Sequence, residues 1–192
     1  MRTIFKGNIS IEGQFHIGTG VACADSDSPF LNDANGDLII PGTSWAGTFR
    51  SFLSARGIEE KLLIDLFGGP AKGDEGHISR FRVFTSRVEA NDVFHNKREG
   101  VGIDRCFGSV MHNILYDWAA LSPGAVFPFY AYFDDHGLGA DIAKACLRLL
   151  AMIFEAIRNG FLCMGARTTI GHGRLDIRDM KIYQTDFQDP SD

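Results

Sequence analysis

No stretch of the 192 residues approaches the ~20 consecutive apolar residues that a membrane-spanning helix needs. The opening MRTIFKGNIS lacks the apolar centre of a secretory signal, so a cytoplasmic location is expected. Cysteine is scarce: Cys23, Cys106, Cys146 and Cys163 are far apart, with no pair at the close spacing that clasps zinc or runs thiol exchange. No zinc site is expected from them. Six histidines are equally scattered and no two lie four residues apart, which argues against an all-protein metal cage. Basic residues are outnumbered 19 to 24 by acidic ones, and a net charge of -5 does not suit a chain coated for non-specific nucleic-acid binding. The nucleotide loops are missing too. Two glycines in 68–74 have phosphate-loop spacing, but Asp74 stands where a lysine must reach the phosphates, and Gly18-Thr19-Gly20 lacks the third glycine of a dinucleotide fingerprint. Neither an ATP nor an NAD site is indicated.

What is present is a core. Hydrophobic residues make up 45% of the chain, enough for one domain spanning 1–192. Ile9, Ile11, Phe15 and Ile17 alternate with polar residues and predict a first strand over 7–17. Trp45, Phe49, Phe52 and Leu53 recur on one helical face and predict a helix over 44–55, with Pro41-Gly42-Thr43-Ser44 supplying a hydroxyl cap. The N-terminus of such a helix is a natural seat for a phosphate. The region 57–124 is less regular, with strand-like residues at 78–88 and a polar insertion at 89–102. A strand is expected over 125–133, a long helix over 138–158 ending at Asn159-Gly160, and a last strand over 174–183. This order predicts an α+β fold, a ferredoxin-like or RRM-like antiparallel sheet with two helices on one face. The tail, about 185–192, is expected to be flexible.

Charge is unevenly spread. Arg80, Arg82, Arg87, Lys97, Arg98 and Arg105 fall within one central stretch, which permits a local basic surface on an acidic chain. A second glycine-rich stretch, 165–174, carries Arg167 and Arg174 with Gly171 and Gly173, and such a loop can align backbone donors around a phosphate.

Four stretches together carry a resemblance. They are His16-Ile17-Gly18-Thr19-Gly20 with Asp27-Ser28-Pro29; Ile40-Pro41-Gly42-Thr43-Ser44-Trp45-Ala46-Gly47-Thr48-Phe49-Arg50; Gly102-Ile103-Asp104-Arg105 followed by Pro123-Gly124-Ala125-Val126-Phe127; and Gly165-Ala166-Arg167 through Gly171-His172-Gly173-Arg174. In this order they resemble the RAMP (repeat-associated mysterious protein) superfamily, in particular the backbone-type subunits of type III CRISPR effector complexes. Ala46 replaces the lysine usual in the second stretch, leaving Arg50 as the nearest cation.

The resemblance implies a ribonucleoprotein of antiviral defence. In it the chain binds CRISPR guide RNA, pairs with copies of itself and sibling subunits, and cleaves single-stranded target RNA as an endonuclease, a hydrolase. RNA contacts are expected from Gly18, Gly42, Thr43, Ser44, Arg50, Arg80, Arg82, Arg105, Arg167, Gly171, Gly173 and Arg174. A thumb-like insertion at about 87–104 would wedge Phe94 into the duplex while Lys97 and Arg98 hold the strand. Asp27, with Asp25 as the fallback, is the expected catalytic residue. A carboxylate of ordinary pKa is a feeble base toward a ribose hydroxyl, so Asp27 is expected to anchor a divalent cation, Mg2+, shared with the RNA. Two rival readings remain: a non-catalytic structural RNA-binding subunit, and a guide-processing endoribonuclease.

Overall fold

The computed structural model describes residues 1–72, 75–88 and 95–186. Ten strands and three helices follow one another along it. β1 is Arg2–Ile11 and β2 Leu38–Ile40; α1, Gly42–Ser54, and α2, Glu60–Phe67, come next. Four short strands follow, β3 Gly69–Lys72, β4 Glu75–His77, β5 Phe81–Val83 and β6 Ser86–Val88. Then come β7 His95–Ile103, β8 Val110–Leu121, β9 Val126–Asp134, α3 Ala140–Arg158 and β10 Leu175–Thr185. Among the described residues no helix is long and apolar enough to cross a membrane.

The main sheet has four strands in the order β10-β1-β9-β5, antiparallel throughout. Alternation along β9 explains its two-sidedness: Phe127, Phe129, Ala131 and Phe133 are buried, while Val126, Pro128 and Tyr130 are exposed. Both long helices cover the buried side. Phe129 is the meeting point, with the rings of Trp45 at 5.5 Å and Phe49 at 6.4 Å on α1 and that of Phe154 at 5.9 Å on α3. The Trp45 indole N–H donates to Ser86 Oγ at 3.1 Å, which satisfies a buried donor and fastens β6 to α1.

A second unit, the hairpin β7–β8, pairs from His95↔Leu121 to Ile103↔Val110. Asp104 shapes its turn: its Oδ1 accepts the N–H groups of Cys106 (2.7 Å) and Phe107 (3.2 Å). The hairpin joins the body at its base, where Phe15 bridges Leu121. Farther out, Val101, Ile103, Val110 and Leu115 are exposed.

Several expected boundaries move. β1 begins and ends earlier than 7–17, because the chain leaves the sheet after Ile11 to bridge β8 at Phe15. α1 begins at Gly42 rather than 44, and Pro41 precedes it with no side-chain cap, so Thr43 and Ser44 lie inside its first turn. The stretch 78–88 is split between two sheets, β5 joining β9 and β6 joining β2. The insertion expected at about 87–104 extends in strand form to Leu121. Residues 89–94, Phe94 among them, and the tail 187–192 lie outside the described residues.

Phe129→Ala removes the ring that both helices share and should cost about 3–5 kcal/mol in urea denaturation. A loss below about 1 kcal/mol would contradict its place at the centre of the core.

Candidate nucleic-acid interface

Helix α1 points its apolar residues into the core, so the opposite stripe, Ser44, Gly47, Thr48 and Ser51, is left for the surface. Small residues there keep the helix backbone near the outside. Against this stripe lie Gly18 from the continuation of β1 and Gly165 and Ala166 from the segment after α3, enclosing an open cavity of about 360 Å³. A second cavity of about 450 Å³ continues it between Ser51, Ala55 and Arg56 on one side and Cys163 and Thr168 on the other. Backbone and hydroxyl groups of Ser44, Thr48, Ser51 and Thr168 share this groove with apolar side chains such as Ile17, Phe161 and Met164.

His16 holds its walls together. Its ring is buried, and Nδ1 lies 2.6 Å from the Ala119 carbonyl, which fixes the proton on Nδ1 and leaves Nε2 to accept from Ser28 Oγ at 3.0 Å. Its own carbonyl accepts the Ala166 N–H at 2.9 Å. Gly165 (φ 92°) passes so close that a Cβ would collide with that carbonyl, and Gly173 (φ 79°) would collide with Met164 O. Burial lowers the His16 pKa below the usual 6.5, opposed by the Ala119 hydrogen bond, and nearby Arg167 lowers it further.

The base of the β7–β8 hairpin has two faces. On one lies the segment before β2: the Asp27 N–H donates to Asp117 Oδ1 (3.1 Å) and the Asp117 N–H donates to Asp27 Oδ2 (2.9 Å). Ser26 Oγ donates to Asp117 at 2.5 Å, and Lys97 Nζ reaches Asp117 Oδ2 (2.9 Å) and the Asp25 carbonyl (2.7 Å). The Ser26 and Lys97 contacts, in that order, hold the Asp117 carboxyl below the usual carboxylate range. Asp25 is exposed and contributes its carbonyl to this cluster.

On the other face, Tyr116 and Trp118 stack at 5.8 Å, and Arg167 lies over Trp118 at 3.8 Å and Tyr116 at 5.4 Å. Arg98 sits in register with Trp118. The Gln14 amide donates to His172 Nε2 (3.1 Å) and accepts from Arg98 Nε (3.2 Å). This leaves the proton of His172 on Nδ1. Burial, then Arg167 and Arg98, lower the His172 pKa. Two buried donors here, Trp118 Nε1 and His172 Nδ1, have no partner among the described residues. An orphaned donor of this kind costs about 1–3 kcal/mol until something accepts from it.

Of the expected RNA contacts, the fold gathers Gly18, Ser44, Arg98, Arg167, Gly171 and Gly173 around the groove and the glycine-rich loop. Thr43 is exposed on the first turn of α1, and Arg174 bridges Cys163 beside the groove. Four arginines do not join them. Arg50 is spent inside the fold, donating to the Gly68 carbonyl (2.7 Å) and Glu60 (2.6 Å), and so ties α1 to α2. Arg80 donates to the His136 carbonyl, Arg82 lies on the main sheet beside Tyr132, and Arg105 is exposed in the hairpin turn. The close approach expected of Gly42 is to protein rather than phosphate, since a Cβ there would collide with Val83 O. Asp117, Tyr116, Trp118 and Gln14 were not singled out in the sequence; nothing local marks them, because their partners lie about 90 residues away in the chain for Asp117 and on other loops for the rest.

Among the described residues no three His, Cys, Asp or Glu side chains gather to hold a metal. Asp27 nevertheless offers a carboxylate oxygen outside its bond to Asp117. A single carboxylate fits Mg2+ only where substrate phosphate and water complete its shell.

The chain belongs to the RAMP superfamily, whose family model matches residues 8–176. It is also similar in fold to a chain of the solved structure titled "Cryo-EM structure of the Type III-B Cmr-beta bound to cognate target RNA", with a TM-score of 0.70 at 16% identity. The match covers 95% of this chain and 61% of that one, so this chain spans about three fifths of that chain's length. None of the curated proteins compared with the sequence matches it.

Because folded His16 and His172 both have lowered pKa values, the unfolded chain binds their protons first as pH falls. Stability is therefore full above about pH 6.5 and declines below it. Urea denaturation between pH 8 and 5 should show this decline, and His16→Gln should flatten it; an equal decline in that variant would contradict the assignment.

Proposed function

We propose that the chain is a guide-RNA-binding backbone subunit of a type III CRISPR interference complex, repeated along the guide in the cytoplasm beside sibling subunits. We read the order β10-β1-β9-β5 as a ferredoxin-like core and the β7–β8 hairpin as its thumb. Family membership and the fold likeness to a Cmr-beta chain support this. The observation that carries it is the donor-only cluster beside the groove: Arg98, Arg167, Trp118 Nε1 and His172 Nδ1 offer charge and N–H groups with too few acceptors. Phosphate oxygens are the acceptors that suit them. The N-terminus of α1 lies along the same path and adds the positive end of its dipole.

Cleavage of the paired target belongs on the opposite face of the hairpin base, at Asp27. Its carboxylate, held by the Asp117 N–H, faces the strand as an orienting group. Asp27 would hold Mg2+, and the ion would supply charge neutralisation at the scissile phosphate. A nucleotide splayed by the hairpin places its 2′-hydroxyl in line with phosphorus; its oxygen gives up its proton to solvent and forms the new P–O bond, the bond to the 5′-oxygen breaks and that oxygen takes a proton from water, and a 2′,3′-cyclic phosphate and a 5′-hydroxyl result. A non-catalytic reading has one observation in its favour: Asp27 and Asp117 bond reciprocally, as a purely structural clasp would.

In the reconstituted complex with Mg2+, Asp27→Ala should slow target cleavage about a hundredfold or more while guide retention is unchanged. Unchanged cutting removes Asp27 from the chemistry and leaves the non-catalytic reading. Arg98→Ala and Arg167→Ala should each weaken guide binding and lower the slope of log affinity against log salt by about 1. An unaltered slope would place the phosphates elsewhere.

A further inference from the structure

The main sheet has a second face that neither long helix covers. By alternation and register it carries Tyr130 and Tyr132 on β9, with Lys6 paired to Tyr130, and Arg82 paired to Tyr132. Lys181 on β10 lies opposite Lys6, and Tyr183 opposite Ile4. Tyr130 and Tyr183 are 38% and 49% exposed. Phe84 extends the aromatic row, its ring 5.1 Å from Tyr130 and 6.0 Å from Tyr132. Arg2 lies over Tyr132 at 4.3 Å and Arg82 at 6.0 Å, so the ring is flanked by guanidinium groups.

We infer that this face is a second binding site for single-stranded RNA, separate from the groove at α1. Arg2 is matched by Asp134, and Arg178 by Glu12 and Asp176. Lys6, Arg82 and Lys181 have no carboxylate partner among the described residues, so the centre of the face is positive on a chain that is negative as a whole. That charge selects a polyanion. The rings select one with exposed bases: Tyr130 and Tyr183 are open to stack a base each, while Tyr132, flanked by Arg2 and Arg82, supports the row between them. A protein partner would be expected to meet mainly aliphatic surface; here Ile4 lies between Tyr132 and Tyr183, and Val126 and Pro128 lie at one end of β9, so aromatic and cationic groups make up most of the face.

The full chain is mixed with a short single-stranded RNA containing photoreactive thiouridine, and cross-linked peptides are mapped. Cross-links are expected within 126–134 as well as at α1 and the glycine-rich loop. Tyr130→Ala with Tyr132→Ala should remove the first set and weaken binding about tenfold or more, while Tyr130→Phe with Tyr132→Phe retains both. Should the alanine pair fail to fold, Arg82→Ala and Phe84→Ala, both at exposed positions, test the same face. Cross-links confined to α1 and the glycine-rich loop overturn this inference and leave the groove intact. Cross-links at 126–134 alone sustain it and remove the groove. A face that cross-links to a second copy of the chain, with RNA failing to compete, is a protein interface and also overturns it.

Discussion

Everything in the groove depends on one buried imidazole. His16 is 3% exposed, and its two ring nitrogens and its carbonyl are matched from three distant parts of the chain: Ala119 on β8, Ser28 before β2, and Ala166 after α3. Burial of the ring makes these bonds costly to leave unmade. They therefore act as a three-way fastening that sets the spacing between the aspartate-bearing segment, the hairpin and the glycine-rich loop.

That fastening puts opposite electrostatics on the two faces of β7–β8. One face offers carboxylates, Asp27 and Asp117, tempered by Lys97. The other is rich in donors and cations, Arg98 and Arg167 above all, with aromatic rings beneath them. A strand held by phosphate contacts suits the second face, and an oriented carboxylate suits the first, so two strands of a duplex can be served by two sides of the same ribbon. The overall charge of -5 says nothing about this division, because it is local.

The parts of the fold that could be read from the sequence are those with one dominant period. α3 carries its buried apolar residues on one helical face, and β9 is a run of aromatic and apolar residues set off by the turn at Ser122-Pro123-Gly124; their expected extents match the structure to within two residues. β8 resisted such reading because Val110, Ile114, Tyr116 and Trp118 share one parity while Met111, Leu115 and Leu121 share the other; both faces are apolar, and neither reads as outside. Gly18, Gly42, Gly165 and Gly173 mark close approaches while Gly20, Gly47 and Gly171 meet nothing, and the partner is not always the one expected. Gly42 meets the Val83 carbonyl, where a phosphate had been expected. Arg50 shows the same limit: a cation in the second half of α1 looks available until Gly68 and Glu60, brought in by α2, take it up. This donor-rich cluster is not legible in the sequence because its members come from four segments, and only folding places Gln14, Arg98, Trp118 and His172 together.

The central claim is that the α1 stripe and the glycine-rich loop form one surface for a ribose-phosphate strand. Amide hydrogen exchange on the full chain, with and without guide RNA, tests it directly. The account predicts slowed exchange at residues 42–48 and 165–173 when RNA is bound. RNA binding that leaves both segments exchanging at their free rates would contradict it.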